Sequence, residues 1–507
     1  MTTPSLLFQR FHEVTAAHGA RTCTTDAAGS VTFREVAAAA DRLARALLAS
    51  IPAHSRVALF APASREWVQG FWGVALSGNL IVPLVEIHPA AEHARSLAAA
   101  RVQLLLVSRE LRARADEAVA LLASLQPALA PPRVVELEPL LAGETKDVAR
   151  PDLKAPSGDT PVVLFFTSGT TGEPKGALVS HDQLAALTQL VGEAWRVAAS
   201  DRLLHCLPLH HTHGLSIAFL VCFLSGASQH FLRRFSSEAV WQELGSSTLF
   251  MGVPTMHKRL LDGFAAQPVE VRKGWREAAR ELRLVTSGSA ALPESVALGW
   301  RAIADQLPLE RFGMTEVGVA LSNPLDGERR VGSCGRVLPG MQVRIVDESG
   351  NDAAPGEPGE IWIRGPSVFV GYDADAAATE AAFTDGWFRS GDTATWLPGG
   401  YVKILGRTSV DIIKSGGYKL SALEIEEALR RHSKVDEVAV LGVPDADWGE
   451  TAVAVIVGRE PIDAVEIREF LKQEVAPYKI PRRFVQVDEL PKNALGKVTK
   501  HTLRRLL

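Results

Sequence analysis

Cysteine is scarce in this chain. Only four occur among 507 residues, at Cys23, Cys206, Cys222 and Cys334, and none forms a Cys-x-x-Cys pair. That excludes a disulfide-framed domain and a thiolate zinc site, and predicts buried thiols in a reducing compartment. Long apolar runs are missing too. The best candidate, residues 215–224, ends at Ser225-Gly226 and falls short of the roughly 18–20 residues a membrane helix needs. Net charge is small: 54 Lys and Arg against 58 Asp and Glu give −4. Neither nucleic acid nor an anionic membrane is therefore expected as a partner. Residues 1–21 carry Glu13 and no apolar h-region with a cleavage site, which argues against a secretory signal. A cytoplasmic protein is expected; Arg10 and Arg21, in a sparsely acidic stretch, keep a mitochondrial presequence as the alternative.

What is present is concentrated in residues 167–176, Thr-Ser-Gly-Thr-Thr-Gly-Glu-Pro-Lys-Gly. The run follows an apolar stretch, residues 162–166, that reads as a buried strand. It precedes Ser180-His181-Asp182-Gln183, a Ser-x-x-Gln capping box that predicts a helix start. Three glycines and four hydroxyl residues leave backbone N–H groups and short donors to surround an anion, and Lys175 adds a point charge. A nucleoside triphosphate suits such a loop. A solvated Gly/Ser/Thr turn is the plainer alternative, but turns seldom combine this composition with Pro-Lys-Gly after a buried strand. A Walker A loop is excluded, because Pro174 precedes Lys175 where that motif needs glycine, and Gly176 follows where it needs Ser or Thr.

A chain this long predicts two or more domains. Residues 30–150 alternate strand-like and helical patterns: strands at 56–60 and 80–84, helices through 37–50 and 67–76. Such alternation argues for parallel sheets covered by helices. Residues 142–159 are charged, hold two prolines and read as a link. From 331 to 405, short β segments at 342–346, 360–364 and 401–405 alternate with Gly- and Pro-rich turns. Beyond Gly406-Arg407 come a capping box at Ser421–Glu424, strands at 438–443 and 452–457, and a second box at Asp463–Glu466. The fold class expected is α/β: a large N-terminal domain of helix-covered sheets with a β-rich subdomain, and a small mobile α/β C-terminal domain. The boundaries expected are 1–406, a hinge at 407–411, and 412–507.

The loop at 167–176 resembles the phosphate loop of the adenylate-forming superfamily (acyl-CoA synthetases, adenylation domains and luciferases). Further segments resemble that family in its expected order. Arg311-Phe312-Gly313-Met314-Thr315-Glu316 resembles its aromatic-Gly-x-Thr-Glu motif. There Phe312 offers a face for adenine, Thr315 a phosphate donor and Glu316 a hard oxygen ligand for Mg2+. Ser287-Gly288-Ser289-Ala290 resembles the strand end that passes beside adenine. Ser390-Gly391-Asp392 and Arg407 resemble the residues that hold the ribose, although a lone Gly-Asp is usually a β-turn. Pro491 to Lys497 resembles the C-terminal lysine motif, and Ser415-Gly416-Gly417-Tyr418-Lys419 the loop presented for the thiol step.

The resemblance implies ATP, Mg2+ and coenzyme A. Thr167, Ser168, Gly169, Thr170, Thr171, Gly172, Lys175, Ser287, Gly288, Ser289, residues 311–315, Asp392, Arg407, Ser415, Gly416 and Gly417 would bind them. Lys497, Lys175, Thr315 and Glu316 would be catalytic, with Glu316 on the metal. A substrate carboxylate attacks the α-phosphorus of ATP, pyrophosphate leaves, the C-terminal domain rotates, and a thiol displaces AMP. Relatives often carry Arg-x-Asp-Asp at the hinge; here Asp411 comes later, which leaves the pivot open within residues 408–411.

Segments 207–214, 233–236, 249–255, 315–322 and 407–414 look most like malonyl-CoA synthetases. A dicarboxylic acid brings a second carboxylate, best held by a guanidinium fork. Arg234 is assigned that role, with His211 nearby and Ser287 and Met314 also lining the acid. The His210–His213 cluster lacks Cys or carboxylate ligands at metal spacing. Ligation of malonate, with methylmalonate as a second acid, is expected. The alternatives are a ligase for short or medium monocarboxylic acids, a stand-alone amino-acid adenylation enzyme, and a nucleotide-binding regulator without catalysis. The sequence leaves the oligomeric state open.

Overall fold

A computed structural model describes residues 3–143, 151–168, 174–415, 418–445, 447–492, 498–505 and 507. Among them, two large sheets organise the first 400 residues. One has seven strands, ordered Gly371–Tyr372, Pro174–Ser180, Pro161–Ser168, Leu80–Pro83, Arg56–Phe60, Leu104–Val107 and Arg133–Glu136. Its stretch from Pro161–Ser168 to Arg133–Glu136 is parallel, as the alternation of strand and helix predicts. The other has nine strands, in which Leu309–Met314, Leu284–Ser287, Leu249–Gly252, Arg202–His205 and Ser228–Phe231 run parallel. The first turns antiparallel at one end, where Pro161–Ser168 folds back into Pro174–Ser180; the second does so at both, where Leu309–Met314 folds back into Gly318–Ser322 and Thr22–Asp26 pairs with Gly29–Thr32.

An aromatic layer joins helices to these sheets. Phe11 and Trp72 lie 4.5 Å apart between ring centres, and Trp72 and Phe223 4.7 Å apart. All three are buried, each worth about 1.5–3 kcal/mol for its large apolar side chain. The apolar stretch 215–224 lies wholly inside this core. Among the described residues no helix is long and apolar enough to cross a membrane.

Local signals behave as their chemistry predicts. Ser180 and Gln183 close a reciprocal capping box at the start of His181–Ala194. A second box, Thr32 with Glu35, starts the helix Phe33–Ser50 four residues before its expected onset. The two C-terminal boxes are only half formed. Ser421 caps Glu424 N and Asp463 caps Val465 N, while the carboxylates of Glu424 and Glu466 turn to Lys479 and Lys434.

The β-rich part pairs Gln342–Val346, Gly359–Arg364, Trp387–Leu397 and Phe383–Thr384, with Tyr401–Arg407 added on Trp387–Leu397. Gly391-Asp392 therefore lies inside a long strand, where a turn is the usual reading of such a pair; Asp392 opens the ladder to Tyr401–Arg407 opposite Arg407, and the pairing with Gly359–Arg364 shifts register across this point. Residues after 411 build their own five-stranded sheet, with Gly449–Val457 between Ile412–Ser415 and Glu437–Asp445. Their apolar clusters contain no residue before Ile413. The four cysteines are free and buried.

Candidate active site

The expected site residues come from strand ends and the connections after them. Leu284–Ser287 ends at Ser287, which is buried; the backbone then turns through Gly288 and Ser289, the latter at φ +70. Gly288 is required by what stands against it, since a Cβ there would lie 2.4 Å from Arg311 Nε. Arg311 sits on the adjoining strand Leu309–Met314, fully buried at 4% exposure. Two of its guanidinium nitrogens, Nε and Nη2, have no partner among the described residues. Burial pulls its pKa down to about 10, which still leaves a cation at neutral pH. Ser289 Oγ lies 3.2 Å from Nδ1 of His213. Burial first, and then the charge of Arg311, hold that imidazole well below its ordinary pKa, so it is neutral.

Beyond Met314 the chain reverses through Thr315, Glu316 and Val317 into Gly318–Ser322. Phe312 and Met314 are half-buried against the main core. Glu316 is buried, and its Oε1 accepts a hydrogen bond from the Tyr372 hydroxyl at 3.0 Å. Burial raises its pKa, partly offset by hydrogen bonds that include the Tyr372 contact.

Lys175 approaches the same tyrosine from the other sheet. Its Nζ is 5.2 Å from the Tyr372 ring centre and 4.0 Å from Asp375 Oδ2. The short strand Gly371–Tyr372 makes this possible by pairing with Pro174–Ser180, and Phe369 N donates to the Glu316 carbonyl at 2.8 Å. Thr167 faces Lys175 across the hairpin ladder, and its hydroxyl donates to the Lys175 carbonyl at 3.3 Å. Ser168 ends the strand opposite Pro174. Gly169, Thr170, Thr171 and Gly172 lie outside the described residues, as do Gly416, Gly417 and Lys497. Ser415 ends the strand Ile412–Ser415, facing Tyr418 and Gly449.

Comparison with known proteins then identifies the chain. The family model described as AMP-binding enzyme matches residues 11–373, and that described as AMP-binding enzyme C-terminal domain matches residues 424–497. This chain belongs to the AMP-binding enzyme family. It is 37% identical over 478 residues to a malonate–CoA ligase of Arabidopsis thaliana, covering 89% of this chain and 78% of that one. It is 38% identical over 484 residues to the malonate–CoA ligase ACSF3, mitochondrial, of Mus musculus, covering 89% and 82%. The crystal structure of ATP-bound MatB from Rhodopseudomonas palustris superposes with a TM-score of 0.88 at 32% identity, covering 99% of each chain.

Within this AMP-binding enzyme, Asp392 and Arg407 meet across two strands at 3.3 Å. His211 is half-buried with its ring 4.1 Å from that of His210. The structure does not bring Arg234 to the buried cluster. Its side chain is 70% exposed, with Nη2 3.5 Å from Glu86 Oε1, which it shares with Arg233. The features expected of a buried carboxylate fork belong to Arg311 instead. Burial decides between the two, and the local sequence around an arginine does not encode it. Sequence reasoning also missed Tyr372 and Asp375. No local signal marks them, because Gly371 and Tyr372 meet Leu178 and Ala177 only in the folded sheet.

Proposed function

We propose that this AMP-binding enzyme ligates malonate to coenzyme A through an acyl-adenylate, releasing pyrophosphate and then AMP. The observation that carries the dicarboxylate reading is Arg311, a buried cation with two open N–H donors, Nε and Nη2, beside Ser289 and neutral His213. An unpaired buried guanidinium is costly, whereas a carboxylate accepting from both donors satisfies its charge and its open N–H groups together. A monocarboxylic acid with an apolar tail offers no such partner. The malonate–CoA ligases of Arabidopsis thaliana and Mus musculus support the same acid.

The donor set also fits ATP and Mg2+. Glu316 supplies a buried oxygen ligand, and Ser287 Oγ is a buried hydroxyl without a partner among the described residues. The metal ion, when bound, neutralises charge on phosphate oxygens. Lys175 would leave Asp375 for the phosphates, Thr315 would donate to them, and Phe312 would face the adenine. Asp392 would accept from the ribose hydroxyls with Arg407 beside it. Lys497 is assigned the charge that develops as the substrate carboxylate attacks the α-phosphorus. The C-terminal body, 412–507, would then turn on a hinge within 407–411 and present Ser415, Gly416 and Gly417 to the incoming thiol. We further infer a cytoplasmic location, which four buried free cysteines favour over an oxidising compartment; cell fractionation checks it.

The deciding experiment measures AMP formation with ATP, Mg2+ and coenzyme A across malonate, methylmalonate, acetate, butyrate and octanoate. Preference for malonate is the expected result. Preference for a monocarboxylate would retain the ligase chemistry and remove the role given to Arg311.

A further inference from the structure

Lys500 is a cation held inside the C-terminal body. Its side chain is 12% exposed, and Nζ lies 2.7 Å from both Asp411 Oδ1 and Glu426 Oε1, whose side chains are 15% and 5% exposed. Each partner is itself fixed. Glu426 Oε1 accepts from Val440 N at 2.9 Å, and Asp411 Oδ2 accepts from Arg407 N at 3.0 Å. Burial is the largest influence on the Lys500 ammonium and pulls its pKa down, but the two carboxylates together outweigh it and leave it raised. A lone ammonium or carboxylate is costly to bury, so removing Lys500 leaves Asp411, among the described residues, with backbone donors only, while Glu426 keeps Arg430 at 3.3 Å.

Around Asp411 the bonds divide between two bodies. Thr408 N donates to the Gly391 carbonyl at 2.9 Å, and its hydroxyl lies 2.8 Å from that of Thr393, so Thr408 belongs with Trp387–Leu397. Asp411 is also tied the other way, by Lys500 and by Ala422 N, which donates to the Asp411 carbonyl at 2.8 Å. Ser409 and Val410, between them, are exposed. Asp411 is thus bonded on both sides: Oδ2 takes the Arg407 N–H and its own N–H donates to the Arg407 carbonyl at 2.8 Å, while Oδ1 takes Lys500.

We propose that Lys500 is a positioning residue for the ligase cycle: it clamps Asp411 and Glu426 together, makes the end of the hinge part of the C-terminal body, and confines turning to Ser409–Val410. The inference rests on the two-step reading above. Lys500 stands three residues after Lys497. The chain just before it is pinned, with Val498 bridged to Lys492 and Thr499 N donating to the Pro491 carbonyl at 2.9 Å. The clamp thus ties the segment that delivers Lys497 to the pivot that aims it. Ser415 needs no such tie, because Ile412–Ser415 is already laced into the C-terminal sheet. The adenylate-forming step therefore depends on the clamp more than the thiol step does.

The test compares full-length wild type, Lys500→Met and Lys500→Arg in two half-reactions. One is malonate-dependent pyrophosphate exchange; the other is single-turnover capture of preformed malonyl-adenylate by coenzyme A. Thermal unfolding is followed in parallel. Lys500→Met is expected to slow exchange about tenfold to a hundredfold, the scale of a misplaced catalytic group, and the thiol step by no more than about threefold. Lys500→Arg, which keeps the charge, recovers most of the exchange. Unchanged exchange, or loss of both half-reactions in the same proportion, overturns the proposal. If Lys500→Met does not fold, Asp411→Asn keeps the shape and weakens the clamp, and the same selective loss or its absence decides. Failure of the malonate reading looks different, because wild type itself would then show no malonate-dependent exchange. The variants are in that case read with whichever acid the substrate panel identifies.

Discussion

Asp392 and Arg407 stand opposite each other on antiparallel strands, with carboxylate and guanidinium 3.3 Å apart. Ladder register sets the pair: two residues far apart in sequence become direct cross-strand neighbours once the strands align. Arg407 Nη1 also donates to the Ser390 carbonyl at 2.6 Å. Gly391, at φ +71, leaves room for it, since a Cβ there would stand 3.2 Å from that nitrogen. If this pair holds the ribose, Asp392→Asn and Arg407→Ala each raise the KM for ATP about tenfold or more, the usual cost of a charged hydrogen bond. Pyrophosphate exchange at varied ATP checks it. An unchanged KM in both variants removes the pair from the nucleotide site.

Arg311 and Arg234 make opposite predictions. Arg311→Gln removes a buried cation from beside Ser289. It is expected to lower malonate kcat/KM by about ten- to a hundredfold, and acetate kcat/KM far less. Arg234→Ala removes an exposed charge whose contact with Glu86 is 3.5 Å; less than about threefold is expected. Steady-state kinetics on both acids separates them. If Arg234→Ala is the more damaging variant, the buried fork is misassigned.

Much of this was legible in the sequence, and what was not has a common cause. Capping and alternation depend on neighbours in the chain, so the Ser180 box and the parallel strands from Arg56 onward follow from composition and spacing. The residues around Glu316 and Asp392 are named instead through their resemblance to segments of the adenylate-forming family, since alone they read as a helix cap and a turn. Burial is different. Nothing local distinguishes Arg311 from Arg234, and only the sheet that wraps Leu309–Met314 makes one buried and leaves the other exposed. Tyr372 was missed because its role requires a two-residue strand to land on Pro174–Ser180. Lys500 reads as one more basic residue near the C-terminus until Asp411 and Glu426 are brought to it.

Glu310 gives a pH prediction. Its side chain is buried, and burial, with Glu427 adding to it, pushes its pKa from the ordinary 4.5 to about 8, despite the hydrogen bond it accepts from Leu292 N. The folded state therefore binds a proton that the unfolded chain has released. The resulting stability is fully present below about 4.5 and is lost progressively as pH rises to about 8. Glu310→Gln keeps the acceptor and removes the titration. Its Tm is expected to lack the fall across that window that wild type shows. Parallel Tm–pH curves for the two proteins would exclude this assignment.

Tyr372 is expected to act through Glu316. Tyr372→Phe keeps the ring under Lys175 and deletes only the hydroxyl that donates to the Glu316 carboxylate. That bond lowers the Glu316 pKa, so its loss raises it further, and activity that needs the carboxylate disappears at a higher pH on the acidic side. The Mg2+ concentration for half-maximal exchange should rise by about tenfold, one charged hydrogen bond, with Tm nearly unchanged. A lowered Tm with unaltered Mg2+ dependence would make Tyr372 a packing residue.

The thiol step has its own candidate surface. Trp448 is 42% exposed and carries the Arg482 guanidinium 4.0 Å above its ring. Tyr418 and Tyr478, also exposed, stack at 4.5 Å. Gly449, next to Trp448, pairs with Ser415, so these rings border the segment expected to meet the thiol. Exposed aromatics beside arginine suit a nucleotide base and its phosphates, and coenzyme A has both. Trp448→Ala is expected to raise the KM for coenzyme A by about tenfold, one base stacked on one ring. Malonate-dependent pyrophosphate exchange, which needs no coenzyme A, should be untouched. Equal damage to exchange would mean that Trp448 supports the C-terminal fold and not the thiol substrate. An unchanged KM would mean that the nucleotide end of coenzyme A lies elsewhere.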